Sequence, residues 1–297
     1  MADNKDLSNP NGSSDVNKSK EAFRELRAAE RRGDLRGRLA VVTGASSGIG
    51  LQFCRTLAGM GAALLMISNR REELERCARE VARDFNVKTV AMYCDLTQPD
   101  AAEAVTRFLD SRGMVADYLI NNAGIFSFLP VADTTENKID CFIDLHVRAV
   151  TALSREFARR FRERGCGRIL NMSSMSCWTP MPGLAMYAAT KAYIRVFTRS
   201  LHYELLDSNV TATAACPGGI ATDLFGLPPK LMKLALRIGA VQSPEKFTRR
   251  AVDRMLRGKK QYVNGLLNRL AIPAVACTPT PVRLLVKHKM LDKNITR

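Results

Sequence analysis

Thr43-Gly44-Ala45-Ser46-Ser47-Gly48-Ile49-Gly50 follows directly on the short apolar run Leu39–Thr43 and precedes a segment of helical period. Because glycine has no Cβ, Gly44, Gly48 and Gly50 permit a tight turn whose backbone approaches a ligand closely. A helix that begins after such a turn directs unpaired N–H groups and its positive dipole end toward the ligand. The stretch is typical of a strand–turn–helix unit that binds the phosphates of a dinucleotide, although an ordinary strand-to-helix turn also uses glycine.

On both sides of this turn, short apolar runs alternate with longer segments of helical period. This alternation predicts parallel strands that are connected by right-handed helical crossovers. The predicted strands are Leu39–Thr43, Ala63–Ser68, Thr89–Cys94, Tyr118–Asn121, Arg168–Met172 and Val210–Ala215, and the predicted helices cover residues 49–60, 71–84, 99–112, 136–163 and 185–207. We therefore predict an α/β fold with a single Rossmann-type, doubly wound parallel sheet and helices on both faces.

The chain is predicted to contain one large domain with an N-terminal extension. Residues 1–20 are polar and are predicted to form a disordered tail, and residues 21–37 are predicted to form a short charged helix. The domain covers residues 38–297. Its basic segment 223–297 is expected to be a helical extension, within which Leu227–Val241 is predicted to cover a substrate cleft.

Composition and charge limit the class of protein and its partners. The hydrophobic fraction of 46% is typical of a globular protein, and the eight cysteines show no metal-ligand spacing, so we expect a reduced cytoplasmic setting and no metal. The polar N-terminus lacks the apolar core of a secretory signal. The net charge is +16, and residues 230–297 contain 16 Lys and Arg against three acidic residues. No nucleic-acid-binding motif accompanies this charge, so no specific nucleic acid is predicted.

The basic C-terminal segment suggests instead a surface for an anionic ligand or for membrane headgroups. Leu266–Val286 is apolar, but Arg269, Arg283 and three prolines interrupt it. An uninterrupted apolar helix of about 20 residues is needed to cross a bilayer. We therefore expect this segment to touch a membrane peripherally and not to cross it.

A series of motifs resembles the short-chain dehydrogenase/reductase family. The TGxxxGxG turn at residues 43–50 is followed by Asn121-Asn122-Ala123-Gly124, by Ser174 with Tyr187 and Lys191, and by Pro217-Gly218, in the order typical of that family. The resemblance covers roughly residues 38–222 of the chain. It implies a nicotinamide dinucleotide cofactor, hydride transfer between an alcohol and a ketone, and assembly as a homodimer or homotetramer.

The candidate catalytic residues lie on or near one predicted helix. Tyr187 and Lys191 are four residues apart and project from the same face, so the Lys191 ammonium is predicted to favour the phenolate form of Tyr187. The resemblance implies that Ser174 binds the substrate oxygen, with Ser173 as a rival that fits the spacing less well. Where the family often has an asparagine that helps to hold a water, this sequence has His146. Two interpretations of His146 stay open, a proton relay and a packed histidine.

The end of the second predicted strand indicates the cofactor. Ser68-Asn69-Arg70-Arg71 lacks the acidic side chain that binds the ribose hydroxyls of NAD. Arg70 or Arg71 is expected to pair with a 2′-phosphate, assisted by Ser46 or Asn69, unless both arginines are only surface charges. NADP(H) is therefore preferred, with NAD(H) open as an alternative.

The resemblance implies further cofactor contacts. Asp95 aligns with a residue that contacts adenine, with a helix cap as its alternative, and Ile220 and Thr222 are candidates to hold the nicotinamide carboxamide and the phosphates. The full predicted set of cofactor-binding residues is Gly44, Ser46, Ser47, Gly48, Ile49, Gly50, Asn69, Arg70, Asp95, Leu96, Asn122, Ala123, Gly124, Tyr187, Lys191, Pro217, Gly218, Ile220 and Thr222.

The substrate is predicted from apolar residues near the catalytic serine. Cys177, Trp178, Met181, Met186 and the segment Leu224–Leu236 favour a hydrophobic alcohol or ketone such as a hydroxysteroid, unless these residues belong to the core. A 3-oxoacyl reductase is the nearest alternative enzyme. A non-catalytic cofactor-binding protein, held at membrane or nucleic-acid phosphates, is the alternative from another class.

Overall fold

A parallel sheet forms the centre of the molecule, for which the computed structural model describes residues 12–220 and 241–291. The strands are β1 (Leu39–Thr43), β2 (Ala63–Ser68), β3 (Thr89–Tyr93), β4 (Tyr118–Asn121), β5 (Gly167–Met172), β6 (Val210–Cys216), β7 (Gly219–Ile220), β8 (Val241–Gln242) and β9 (Gln261–Val263). Seven of them form the sheet in the order β3-β2-β1-β4-β5-β6-β9, and β7 pairs with β8. All the pairings are parallel.

Helices cover both faces of the sheet. They are α1 (Gly12–Arg32), α2 (Gly48–Ala58), α3 (Arg71–Phe85), α4 (Ala101–Ser111), α5 (Glu136–Ile143), α6 (Ala149–Arg164), α7 (Ala185–Glu204), α8 (Pro244–Leu256), α9 (Leu266–Ala276) and α10 (Thr280–Val286). One apolar layer joins the sheet to α1, α2, α3 and α8, and the other joins it to α4, α6 and α7. The doubly wound Rossmann-type fold is therefore confirmed. None of the helices in the described ranges is long and apolar enough to span a membrane.

The region after residue 217 contains elements that the sequence patterns did not predict, among them strand β9 and helix α8. Strand β9 has only three residues, too few for a visible apolar run, and it is held by pairing with Ala214–Cys216 of β6. Helix α8 begins after Ser243, whose hydroxyl accepts a hydrogen bond from the Lys246 backbone N–H, and it buries Phe247 against Phe53. The predicted cover Leu227–Val241 lies outside the described residues except for Val241.

The N-terminal helix differs from its predicted bounds. Helix α1 begins at Gly12 and ends at Arg32, so the predicted disordered tail is wrong for residues 12–20, and residues 1–11 lie outside the described part. The later part of the helix packs on the domain, because Leu26 is completely buried in the first apolar layer. The terminal helix is thus part of the domain.

A buried ion pair attaches α1 to the sheet. Arg168 in β5 and Glu30 in α1 are both buried, and an Arg168 Nη2 atom donates a hydrogen bond of 3.0 Å to Glu30 Oε2. Burial raises the pKa of Glu30, and the Arg168 charge opposes that rise. Arg27 of the same helix donates from Nη1 to the carbonyl oxygen of Leu256 at 2.8 Å, which links α1 to α8.

Glu30→Ala is expected to destabilise the fold, because it leaves the Arg168 guanidinium buried without its anionic partner. The loss should be about 3 kcal/mol or more of the free energy of unfolding. The matched control is Glu25→Ala, since the Glu25 side chain is 64% exposed in its ion pair with Arg38 and such pairs contribute less than about 1 kcal/mol. Urea denaturation measures both variants, and equal losses would contradict a specific anchoring role for Glu30.

Candidate active site

The glycine turn lies at the carboxyl end of β1, against the carboxyl end of β4. Gly44 has a φ of +64°, and a Cβ added there would lie 2.9 Å from the Ala123 Cα atom, while one at Gly50 would overlap the Gly44 carbonyl oxygen. The Asn122 backbone N–H donates to Thr43 Oγ1 at 2.9 Å, and its side-chain Nδ2 donates to the Thr43 carbonyl oxygen at 3.1 Å. These contacts fix the turn at the start of α2.

Phosphate oxygens fit this turn. Ser47 precedes α2 with extended backbone, and its side chain does not cap the helix. The N–H groups of the first helical turn have no partner inside a helix, and together with the dipole they attract an anion. The turn can therefore hold the pyrophosphate of a dinucleotide.

A cleft of about 720 Å³ opens over the carboxyl ends of the strands. The predicted cofactor residues that line it are Gly44, Ser46, Ser47, Gly48, Ile49, Asn69, Arg70, Asp95, Leu96, Asn122, Ala123, Gly124, Tyr187, Lys191, Pro217, Gly218 and Ile220, and the predicted catalytic Ser174 lines it as well. Gly50 lies in the first turn of α2, beneath the cleft, and His146 lies behind it. Thr222 and the segment Leu224–Leu236 lie outside the described residues.

Several lining residues were missed by sequence reasoning. They are Ser68, Cys94, Thr97, Ile125, Cys141, Leu145 and Met172, and Ser173, the predicted rival of Ser174, lines the cleft as well. Most of them are adjacent in sequence to a predicted residue, and this adjacency could have identified them. Cys141 and Leu145 reach the cleft only because α5 and the following turn pack against it, and the sequence carries no signal for that packing.

The two neighbouring arginines after β2 have different surroundings. Arg70 is exposed at the start of α3 and lines the cleft, whereas the Arg71 guanidinium stacks on the Tyr93 ring, 4.7 Å from its centroid. The Ser46 and Ser68 hydroxyls are hydrogen bonded to each other at 2.9 Å. Of the two arginines, Arg70 is therefore the one available to an anionic group in the cleft.

Asp95 combines the two roles that its sequence position allowed. Its Oδ1 atom accepts hydrogen bonds from the Thr97 backbone N–H at 3.0 Å and from Thr97 Oγ1 at 2.9 Å, and these bonds lower the pKa of its carboxyl group. This is the geometry of a local cap. The same residue lines the cleft, so the cap does not remove it from the site.

The two candidate serines after β5 are distinguished by their partners. Ser173 is buried, and its hydroxyl donates a hydrogen bond of 2.6 Å to the Lys191 carbonyl oxygen, which ties β5 to α7. The Ser174 Oγ atom accepts from the Ser176 backbone N–H at 3.1 Å, and Ser174 acts against the rise that burial causes in the pKa of the Tyr187 phenol. Ser174 and the candidate acid–base group thus line the same cleft.

Burial moves the pKa values of Tyr187 and Lys191 in opposite directions. It raises the pKa of the Tyr187 phenol, which Ser174 opposes, and it lowers the pKa of Lys191 to about 8. Lys191 Nζ donates to the Met172 carbonyl oxygen at 2.9 Å and lies 5.7 Å from the Tyr187 ring centroid. The predicted lowering of the Tyr187 pKa by Lys191 is therefore not seen, because desolvation outweighs the distant charge. The phenol stays protonated at neutral pH.

His146 is fully buried, and both of its ring nitrogens have partners. Its Nε2 atom accepts a hydrogen bond from the Ile125 N–H at 3.0 Å, and Nδ1 lies 2.9 Å from Thr190 Oγ1. Because Nε2 accepts, we assign the proton of the neutral ring to Nδ1. Burial and the nearby Lys191 charge lower the pKa of His146 to about 2. These contacts favour the packed histidine over the proton relay.

Comparisons with known proteins agree with this site. The family model described as short chain dehydrogenase matches residues 38–227. The chain is 30% identical over 266 residues to a very-long-chain 3-oxoacyl-CoA reductase of Bos taurus, covering 88% of this chain and 81% of that protein. It is 31% identical over 189 residues to hydroxysteroid dehydrogenase-like protein 1 of Gallus gallus, covering 63% of this chain and 56% of that protein.

A solved structure that contains NADPH shares the fold. L-sorbose reductase from Gluconobacter frateurii, complexed with NADPH and L-sorbose, matches with a TM-score of 0.71 and 26% identity, over 78% of this chain and 96% of that chain. The match of the family model to most of the chain agrees with the ordered glycine turn and with the Ser174, Tyr187 and Lys191 cluster. The chain therefore belongs to the short chain dehydrogenase family and is an oxidoreductase that acts on CH–OH groups.

Proposed function

We propose that this protein is an NADP(H)-dependent oxidoreductase that interconverts a hydrophobic ketone and the corresponding secondary alcohol. The observation that carries the proposal is that Ser174, Tyr187 and Lys191 line the same cleft as the glycine turn. A nucleotide whose phosphates lie at the start of α2 can extend along this cleft toward the three side chains. A non-catalytic cofactor-binding protein would not need them together.

The chemistry divides between cofactor and protein. When bound, the nicotinamide would supply a hydride for the carbonyl carbon, while the protein positions the carbonyl oxygen and protonates it. The Ser174 Oγ atom accepts the Ser176 N–H, so its own proton is available to the substrate oxygen. The raised pKa of Tyr187 keeps its phenol protonated, which is the form that gives a proton to the oxygen as the alcohol forms. The lowered pKa of Lys191 leaves an ammonium below about pH 8, which stabilises the resulting phenolate.

Arg70 supports NADP(H) over NAD(H). Its side chain lines the adenosine side of the cleft next to Asn69, and no acidic residue stands in that stretch. A guanidinium is a multidentate donor that matches a phosphate, whereas NAD(H) offers only hydroxyls at this position. The NADPH in the L-sorbose reductase structure supports the same cofactor.

The substrate proposed first is a long 3-oxoacyl thioester, and a hydroxysteroid is the second candidate. The names of the bovine and chicken relatives support these two classes, and the bovine relative covers more of the chain. Ile125, Cys141 and Leu145 contribute apolar groups to the cleft. Cys177 and Trp178 pack against Val263 instead, so they support the core alternative.

A panel of ketones distinguishes the substrate candidates. NADPH oxidation would be followed with 3-oxoacyl thioesters of increasing chain length, with 3-, 7- and 17-ketosteroids, and with a sugar ketone as the polar control. A value of kcat/KM that rises with acyl length supports the first candidate, and turnover of ketosteroids alone supports the second. Turnover of the sugar ketone alone would contradict a hydrophobic substrate.

Location and assembly are part of the proposal. We propose a cytoplasmic protein, on the basis of the scattered cysteines, which are free thiols in the described residues. A homodimer or homotetramer is proposed from the family resemblance. Peripheral membrane contact is proposed from the basic C-terminal segment and is developed in the next subsection.

Tyr187→Phe is expected to lose nearly all reductase turnover, by roughly a hundredfold or more, because the proton donor is removed. Binding of NADPH should persist, since the ring still packs against Phe126 at a centroid distance of 5.0 Å. Steady-state rates and fluorescence titration with NADPH measure the two properties. Turnover equal to that of the original protein would refute the acid–base role of Tyr187.

Arg70→Ala is expected to weaken NADPH binding by roughly ten- to a hundredfold, the range of a lost charge-assisted hydrogen bond, with little change for NADH. Arg71→Ala is the matched control, because its guanidinium stacks on Tyr93 outside the cleft. Dissociation constants for both nucleotides measure the effect. If the two variants lose NADPH affinity equally, Arg70 is only a general surface charge.

His146→Leu is expected to lower thermal stability and kcat/KM, because the Ile125 N–H and the Thr190 hydroxyl lose a partner at a cost of about 1–3 kcal/mol. His146→Gln keeps an acceptor and should recover part of the loss.

Reductase activity of the original protein should fall as pH rises through about 8, where Lys191 loses its proton. That midpoint should stay unchanged in both variants. A shifted midpoint that follows the loss of imidazole would indicate a proton relay instead.

A further inference from the structure

A second cleft of about 390 Å³ lies where α8, β9 and α9 meet. It is separate from the catalytic cleft, and the two share no lining residue. Three arginines line it, Arg250 and Arg254 from α8 and Arg269 from α9, together with Tyr262 of β9. The cleft thus brings guanidinium groups of two helices together.

The charge of this cleft is positive and unbalanced. The one acidic residue in its lining, Asp253, is paired with Arg257, whose Nε lies 2.7 Å from Asp253 Oδ1. Within residues 12–220 and 241–291, none of the three lining arginines has a carboxylate within ion-pair distance. Arg269 Nε donates to the Val263 carbonyl oxygen at 3.1 Å, which holds its guanidinium in place. Such a group of arginines matches a phosphate.

Tyr262 gives a second indication of a ligand. The residue is only 3% exposed, and among the described residues its buried hydroxyl has no well-formed hydrogen bond, although the nearby Arg250 guanidinium opposes the rise that burial causes in the pKa of Tyr262. A buried hydroxyl without a partner costs free energy, so native structures seldom leave one unsatisfied. An anionic oxygen in the cleft would accept a hydrogen bond from this hydroxyl.

The helix beside this cleft presents apolar side chains outward. Leu266, Leu267 and Leu270 of α9 are 71%, 55% and 68% exposed, and Leu266 also lines the cleft. On the opposite side of the same helix, Asn268 is buried and Ile272 packs with the apolar cluster around Val263. A solvent-facing helix normally carries polar residues outward, so this arrangement indicates a partner that is apolar.

The next helix also carries exposed apolar side chains. Val282, Leu284 and Leu285 of α10 are each about half exposed. Arg283 Nη2 donates to the Ala276 carbonyl oxygen at 3.2 Å, which ties α10 to the end of α9. Exposed apolar side chains thus occur on two successive helices.

We propose that the three arginines and three leucines form a docking surface for an anionic phospholipid bilayer. A lipid phosphate would occupy the arginine cleft, with Tyr262 as a further donor, and Leu266, Leu267 and Leu270 would enter the boundary between headgroups and acyl chains. The basic excess of residues 230–297 complements an anionic surface and extends its attraction beyond the cleft. The proposal concerns binding and does not rest on the proposed reaction.

The same helix connects this surface to the catalytic residues. Helix α9 contacts the turn Met175–Trp178 that follows Ser174, and Ile272 packs in the cluster that includes Cys177 and Trp178. Asn264, just before α9, accepts the Gly218 backbone N–H with its side-chain oxygen at 2.6 Å. The docking surface thus lies on one side of α9, and the turn that follows Ser174 packs against the other.

Vesicle flotation tests the docking surface with the full chain. Binding would be compared on phosphatidylcholine vesicles with and without phosphatidylglycerol, at low and high salt. We expect binding that needs the anionic lipid and weakens with salt. A triple variant with Arg250, Arg254 and Arg269 changed to Gln should bind at least tenfold more weakly, given about 1 kcal/mol for each basic residue at an anionic surface. The matched control changes Arg76, Arg79 and Arg83 of α3 to Gln and should bind normally.

A second variant separates the apolar contribution. Changing Leu266, Leu267 and Leu270 to Ser should also reduce binding, and what remains should be fully reversed by salt. Retained NADPH binding shows that each variant is folded. Equal loss in the α3 control would overturn the site in favour of general charge attraction. If the leucine variant changes the oligomeric state in gel filtration while the original protein ignores anionic vesicles, the surface is an interface between copies, and the proposal is wrong.

Discussion

The close approach between the first turn of α2 and the end of β1 is the constraint on which the site depends. No Cβ fits at Gly50 because the Gly44 carbonyl oxygen occupies its place, and Gly44 itself is pressed against Ala123. Asn122, at the end of β4, donates two hydrogen bonds to Thr43, at the end of β1, so the ends of these two neighbouring strands are joined. As a result the helix start, with its unpaired N–H groups, points into the crevice at the carboxyl edge of the sheet.

Desolvation sets the protonation states at the other end of this crevice. It keeps Tyr187 protonated and brings the pKa of Lys191 down to about 8, so both groups hold a proton at neutral pH. It also keeps His146 neutral, which turns a titratable residue into a fixed link between the backbone of Ile125 and Thr190. The Thr190 hydroxyl in turn donates to the Tyr187 carbonyl oxygen at 3.0 Å. His146, which stands where the family often has an asparagine, is thus linked through Thr190 to the helix that carries Tyr187 and Lys191.

The sequence was most informative where local pattern and tertiary structure agree. The strands β1, β2 and β4 have the predicted bounds, because each is a continuous apolar run between turns. Strand β9 was missed because a three-residue strand has no period of its own. Helix α8, which lies before it in the chain, was missed as well. Most candidate cofactor residues lie in one cleft, because the carboxyl ends of parallel strands meet at one edge. The different surroundings of Arg70 and Arg71 depend on Tyr93 of another strand, which no local pattern reveals.

Hydride transfer into the substrate is the central claim, and isotope labelling tests it most directly. The enzyme would be given a ketone that it reduces, together with NADPH that carries deuterium at C4 of the nicotinamide. The two faces of C4 would be labelled in separate reactions, and the product alcohol would be analysed by mass spectrometry and NMR. We expect that one of the two labelled cofactors places deuterium on the former carbonyl carbon and that the other places none. Product alcohol without deuterium at that carbon from both cofactors would contradict direct hydride transfer in this cleft.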